Sequence, residues 1–205
     1  MAQAIEVMRG RKVKEGAVAT PIDRRVVDLL ISWAGAVVAV ALVGLGAAAI
    51  FGGGFALDNV RDRLEPQRIS FPPAAAMTPE EKAEVGEFAG QKIDTGTEAE
   101  AFSRYIGGHL AEVNGGATYS ETSAAARAEG IPEDEAAELQ AKADTLFKGE
   151  TLRAILLNAY GWWTVGLITL WAGIGMVVAG LVLAVFVGLG FFHARKAKAA
   201  TEAVV

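Results

Sequence analysis

Two long apolar runs, 29–57 and 162–192, bracket a mixed stretch of about a hundred residues. The first has no charge between Asp28 and Asp58, and the second none between Arg153 and Arg195. A helix crosses a hydrocarbon core of about 30 Å with roughly 20 apolar residues, and both runs exceed that. Neither carries a polar face at helical spacing, as a soluble helix would. Each is therefore expected to be a transmembrane helix. A cleaved signal peptide ending near Ala47-Ala48-Ala49 is the other reading of the first run. Its length passes the roughly 7–15 residues of such an apolar region, and the polar residues before it carry both signs. An uncleaved anchor fits better.

Between the runs the period becomes that of amphipathic helices. Leu57, Val60 and Leu64 continue the first helix outward until Pro66 stops it. The stretch 68–73 ends in Pro72-Pro73 and is expected as an extended strap or edge strand. Thr78, Pro79, Glu80 and Glu81 open a helix running to about Lys92, with Val85 and Phe88 inward. After a turn at 94–97, a helix over about 98–113 carries Phe102, Tyr105, Ile106, His109, Leu110 and Val113 as one buried stripe. Asn114-Gly115-Gly116 ends it. A short helix follows over 119–129, capped by Thr118 or Ser120, and Gly130-Ile131-Pro132 breaks it. From Pro132, apolar positions at helical spacing run past Gly149, a candidate kink, into the second run.

The pattern predicts an all-α membrane protein: two transmembrane helices bracketing a small helical extracytoplasmic domain. The expected divisions are a cytoplasmic leader over 1–28, spans over 29–57 and 162–192, the domain over 58–161, and a cytoplasmic tail over 193–205. Charge sets the orientation. Arg9, Arg11, Lys12, Lys14, Arg24 and Arg25 precede the first span, and Arg195, Lys196 and Lys198 follow the second. The stretch 58–153 holds nineteen acids and ten bases, net −9. Cations near the outer ends of both spans are expected to place both termini in the cytoplasm. Trp33, Tyr160, Trp162 and Trp163 fall where aromatic rings anchor a span at the interface.

Small residues recur along the spans. Ser32, Ala36, Gly44, Ala48 and Gly52 share a four-residue row with Val40, and Gly180, Ala184 and Gly188 form a second row. In lipid, packing rather than hydrophobicity drives helix association, and such rows let backbones approach closely. They are expected to pair the two spans of one chain or to join copies as a homo-oligomer.

Candidate chemistry is sparse. The 205 residues include no cysteine, which removes disulfides, thiolate metal sites and cysteine nucleophiles. A net charge of −5 gives nucleic acid no basic patch to meet. His109 is the sole histidine between the runs, and it lacks the three or four donors a zinc site needs. Glu133, Asp134, Glu135 and Glu138 lack the alternating ligands and central Gly of a calcium loop and read as a solvated helix start. Gly52-Gly53-Gly54 and Gly115-Gly116 are not followed by the Lys-Ser/Thr of a phosphate loop. Neither span holds an ionisable group that could relay protons. No catalytic residue, metal or cofactor is expected.

The segments Phe88-Ala-Gly, Asp94-Thr-Gly, His109-Leu-Ala-Glu-Val-Asn-Gly-Gly-Ala-Thr-Tyr119 and Glu150-Thr-Leu-Arg-Ala-Ile-Leu-Leu-Asn-Ala-Tyr-Gly-Trp-Trp163 resemble a group of uncharacterised actinobacterial two-span membrane proteins. The resemblance covers about residues 30–192. It implies a small helical external domain, a plasma-membrane location and no enzyme. Some members are labelled ring-opening dioxygenases, but His109 alone cannot supply the iron ligands of that chemistry. The expected function is a non-enzymatic accessory or scaffolding subunit in the lipid bilayer, contacting another membrane or envelope protein. The alternative is an envelope sensor, whose cytoplasmic segments would be short for an output domain.

Overall fold

The computed structural model describes residues 24–202, with side chains from 26 to 196. The leader cations Arg9, Arg11, Lys12 and Lys14 and the side chains of Arg24, Arg25, Lys198 and Glu202 lie outside the described residues. Five α-helices follow in order: α1 (Arg24–Leu64), α2 (Pro79–Val85), α3 (Gly96–Val113), α4 (Tyr119–Ala125) and α5 (Glu133–Glu202). α1 spans 41 residues and α5 spans 70, roughly 60 Å and 105 Å at 1.5 Å per residue. Both are long and apolar enough to cross a membrane. Their most apolar windows have mean hydropathies of 2.4 and 2.6 and are only 11% and 6% buried. The core helix of a soluble protein would be mostly buried. α5 continues unbroken through Gly149, and α1 runs past Asp58 to Leu64. A 3₁₀ turn at Glu65–Gln67 closes α1, with Arg68 left-handed at φ 54°.

The chain divides into two compact units, Met1–Val40 with Gly180–Val205, and Ala41–Ala179. In the first unit, Ser32, Ala39 and Ala194 are buried between the helices. Trp33 meets Phe191 edge-on at 5.7 Å between ring centres. A Cβ on Gly35 would stand 2.8 Å from Val187 Cγ2, and one on Gly190 would stand 2.6 Å from Ser32 Oγ.

In the second unit, α1 and α5 touch backbone to backbone. A Cβ on Gly46 would lie 2.8 Å from Gly173 O, and one on Gly53 would lie 2.6 Å from Leu170 N. Above these glycines α2, α3, α4 and the strap form a helical cap. Its core gathers Val60 and Leu64 of α1, Phe71 of the strap, Met77 just before α2, Val85, Ile93, Ala99, Ala101, and Leu156 and Trp163 of α5. Phe71, 2% exposed, centres an aromatic cluster with Phe88 at 5.5 Å, Phe102 at 5.2 Å and Tyr105 at 6.3 Å. Burying each large side chain contributes about 1.5–3 kcal/mol.

Local rules set the cap's helix starts. Thr78, Thr95 and Thr118 each accept from the backbone N–H three residues on, where Glu81, Glu98 and Glu121 return the bond. These are three capping boxes. The expected helix to Lys92 stops instead at Val85, followed by a 3₁₀ turn at Gly86–Phe88. The strap takes the backbone that this helix would have used. Phe71 N donates to Gln91 O at 2.9 Å, Ile93 N to Ile69 O at 3.0 Å, and Gly90 N to Pro72 O at 3.0 Å. Gly90, at φ 73°, turns the chain into that pairing.

Candidate functional site

Over 41–179 the two helices meet at positions outside the four-residue rows. Ser32, Ala36 and Gly180 are buried or half-buried, whereas Gly44, Ala48, Gly52, Ala184 and Gly188 are exposed. A Cβ added at Gly44, Gly52 or Gly188 would meet nothing within 4 Å. Within the second unit the close approaches are Gly46 and Gly53 on α1 and Gly166 and Gly173 on α5, each pair seven residues apart. In the first unit Ser32 and Ala39 keep the same spacing. Seven residues is the repeat at which facing α-helices hold one seam toward each other; four-residue rows drift off it. The row Gly44, Ala48, Gly52 is thus a second small-residue face of α1, and neither Gly44 nor Gly52 approaches α5 closely.

The aromatic residues divide likewise. Trp33, Tyr160 and Trp162 are exposed. Trp163 is 9% exposed and belongs to the cap core, where Gly96 leaves its ring room at the start of α3. The Arg61 guanidinium lies 5.8 Å from the centre of the Trp163 ring.

His109 departs from the buried stripe expected of it. It is exposed at the edge of α3, with its Nδ1 3.0 Å from Tyr105 O and its Nε2 3.3 Å from Glu81 Oε1. Glu81 also accepts from Thr78 N at 2.7 Å, so one carboxylate joins the start of α2 to the side of α3. Burial first, and the Glu81 carboxylate second, push the Tyr105 phenol above its ordinary pKa. The stripe extends round α3: Ala99, Ser103 and Leu110 are buried. Gly149 admits the Leu110 side chain, and Gly107 lies under the Arg153 guanidinium. Arg153 Nε donates to Ser103 O at 3.1 Å and its Nη1 to Glu150 at 2.8 Å, tying α5 to α3.

Two concavities accompany these contacts. One of about 390 Å³ is lined by Leu110, Tyr119, Leu146, Glu150 and Arg153. Beside it Tyr119 and Phe147 lie ring to ring at 5.5 Å, exposed by 42% and 56%. The other is a groove of about 1230 Å³ between α1 and α5. Phe55, Ile155, Trp162 and Val165 form its apolar wall, and Asn59, Asp62, Arg63 and Asn158 its polar end. Arg63 Nε donates to Asn59 Oδ1 at 3.0 Å. Among the described residues no group of three or more His, Asp or Glu could hold a metal ion. Glu133, Asp134, Glu135 and Glu138 are exposed at the start of α5, and Glu138 pairs with Lys142 at 2.8 Å.

The groove joins residues of α1 and α5 about a hundred apart in sequence, and the Arg153 tie joins α3 and α5 across fifty. The signal lay in helical spacing: Ile155, Ala159 and Trp162 on α5, and Phe55, Asn59 and Asp62 on α1, each fall on one face. No family model, curated protein or solved structure matches the chain.

Proposed function

We propose that this chain is a non-enzymatic accessory or scaffolding subunit of a bacterial plasma membrane. α1 and α5 cross the bilayer, both termini lie in the cytoplasm, and the helical cap stands outside to meet a second membrane or envelope protein. One observation carries the reading: the Tyr119–Phe147 pair. Tyr119, 42% exposed, and Phe147, 56% exposed, are joined ring to ring beside an open concavity on the cap. Aromatic rings of this kind, apolar in body and packed as a pair, are enriched where proteins dock. The charge pattern supports the orientation, with net −9 over 58–153 and cations beyond both apolar runs.

Affinity purification from native expression in a mild detergent, followed by mass spectrometry, tests the proposal. A partner recovered with the unaltered chain and lost with Phe147→Glu supports it. Recovery of a lone monomer in both cases contradicts it.

A further inference from the structure

We infer that the groove between α1 and α5 binds one zwitterionic phospholipid with a phosphoethanolamine headgroup, on the side of the membrane facing the cap. This rests on the two helices spanning the bilayer and not on any protein partner. Depth is the first argument. The apolar run of α1 ends at Leu57, and Asp62 and Arg63 lie five and six residues beyond it, about 7–9 Å along the axis. A headgroup layer is about 5–7 Å thick on each face of a bilayer. In the other direction the groove reaches Gly52 and Thr169, roughly 8–10 Å into the hydrocarbon. The polar end therefore begins inside the headgroup layer at Asn59, about 3 Å beyond Leu57, and reaches that layer's outer edge at Asp62 and Arg63, while the wall of Phe55, Trp162 and Val165 lies beside the upper acyl chain.

Charge is the second argument. Asp58 and Arg61 pair with each other at 4.0 Å, on the same turn. Asp62 and Arg63 line the groove, and neither is in an ion pair among the described residues. Asn59 holds the Arg63 guanidinium through its Nε, which leaves the Nη donors for a phosphate. The neighbouring Asp62 carboxylate is placed for an ammonium. Adjacent opposite charges, both open to the groove, complement the phosphate and ammonium of one phosphoethanolamine. A choline headgroup has no N–H to give Asp62, and a glycerol headgroup has no cation.

The test uses the full chain reconstituted in vesicles of phosphatidylcholine containing phosphatidylethanolamine or phosphatidylglycerol whose acyl chains carry bromine near the headgroup. Bromine quenches tryptophan at short range. Trp171, on a lipid-facing position of α5, reports membrane insertion with either lipid, and Trp162, in the groove wall, reports occupancy. The expected result is stronger quenching by brominated phosphatidylethanolamine than by the phosphatidylglycerol, with the excess absent in Trp162→Phe. Arg63→Gln should weaken the excess on the order of tenfold in lipid concentration, the scale of one lost charge-assisted hydrogen bond. Asp62→Asn should turn the preference toward phosphatidylglycerol, while Lys82→Gln, on α2, changes nothing. Equal quenching by both lipids in the unaltered chain overturns the inference without involving any variant. So does a groove closed to lipid by a second copy or by another protein. Absence of Trp171 quenching would instead refute the membrane placement itself.

Discussion

Substitution of Gly173 by Ala separates the seven-residue seam from the four-residue row. A Cβ at Gly173 would stand 2.7 Å from both Gly46 O and Ile50 N, where ordinary contact begins at 3.4 Å. The helices must separate locally by about 0.7 Å, and the obstacle is backbone, which cannot rotate away. Overpacking of this kind costs about 1–3 kcal/mol, and the backbone obstacle favours the upper end. Replacing a helical Gly returns about 1 kcal/mol in propensity, so Gly173→Ala should destabilise the pair by about 1–2 kcal/mol. Gly44→Ala meets nothing within 4 Å and keeps only the propensity gain, about 0.5–1 kcal/mol of stabilisation. Reversible unfolding in mixed micelles of a mild detergent and dodecyl sulfate, followed by tryptophan emission, measures both. The two variants should move in opposite directions, about 1.5–3 kcal/mol apart. If Gly44→Ala is the more damaging, or both are neutral, the seam is wrong.

Three further expectations concern the cap. Phe71→Ala empties the centre of the aromatic cluster and should cost about 3–5 kcal/mol, read by thermal unfolding in detergent. Thr95→Ala removes the cap of α3 and should cost about 1 kcal/mol, seen as faster amide exchange over 96–99. Hydrogen bonds from the Thr118 backbone and side chain hold the Glu121 carboxyl below the usual carboxylate range. A lowered folded value contributes stability above the unfolded pKa, near 4.3, and loses it as pH falls through the folded value. Protection of the amides at the start of α4, corrected for the intrinsic exchange rate at each pH, should therefore fall on acidification below about pH 4.3, and Glu121→Gln should abolish that fall.

Much of the cap was legible because its signals are local. Thr78, Thr95 and Thr118 each precede a Glu by three residues, and each starts a helix. Pro66 stops α1 at Leu64, and the apolar spacing after Pro132 carried α5 correctly into the second run. The early end of α2 was not legible, since it depends on backbone bonds from Ile69, Phe71 and Pro72, some twenty residues away. His109 falls on the stripe by spacing alone, yet the face of α3 that is buried centres on Ala99, Ser103 and Leu110, which leaves His109 at its exposed edge beside Glu81. The seam between α1 and α5 was hidden for another reason. Every face of an apolar run is apolar, and α1 carries small residues on more than one face. Nothing in the order of Gly44, Gly46, Gly52 and Gly53 says which of them meets Gly173. The groove went unread because it needs both helices, far apart in sequence, to supply one wall each.

The central claim is a chain that crosses the membrane twice and holds its cap outside. The absence of native cysteine makes it directly measurable. Single variants Glu87→Cys and Glu129→Cys, exposed on the cap, and Thr201→Cys, in the tail, would be treated in intact cells with a membrane-impermeant maleimide. The account predicts labelling at 87 and 129, and labelling at 201 only after the cells are opened. Labelling of 201 in intact cells, or protection of 87 and 129, contradicts it.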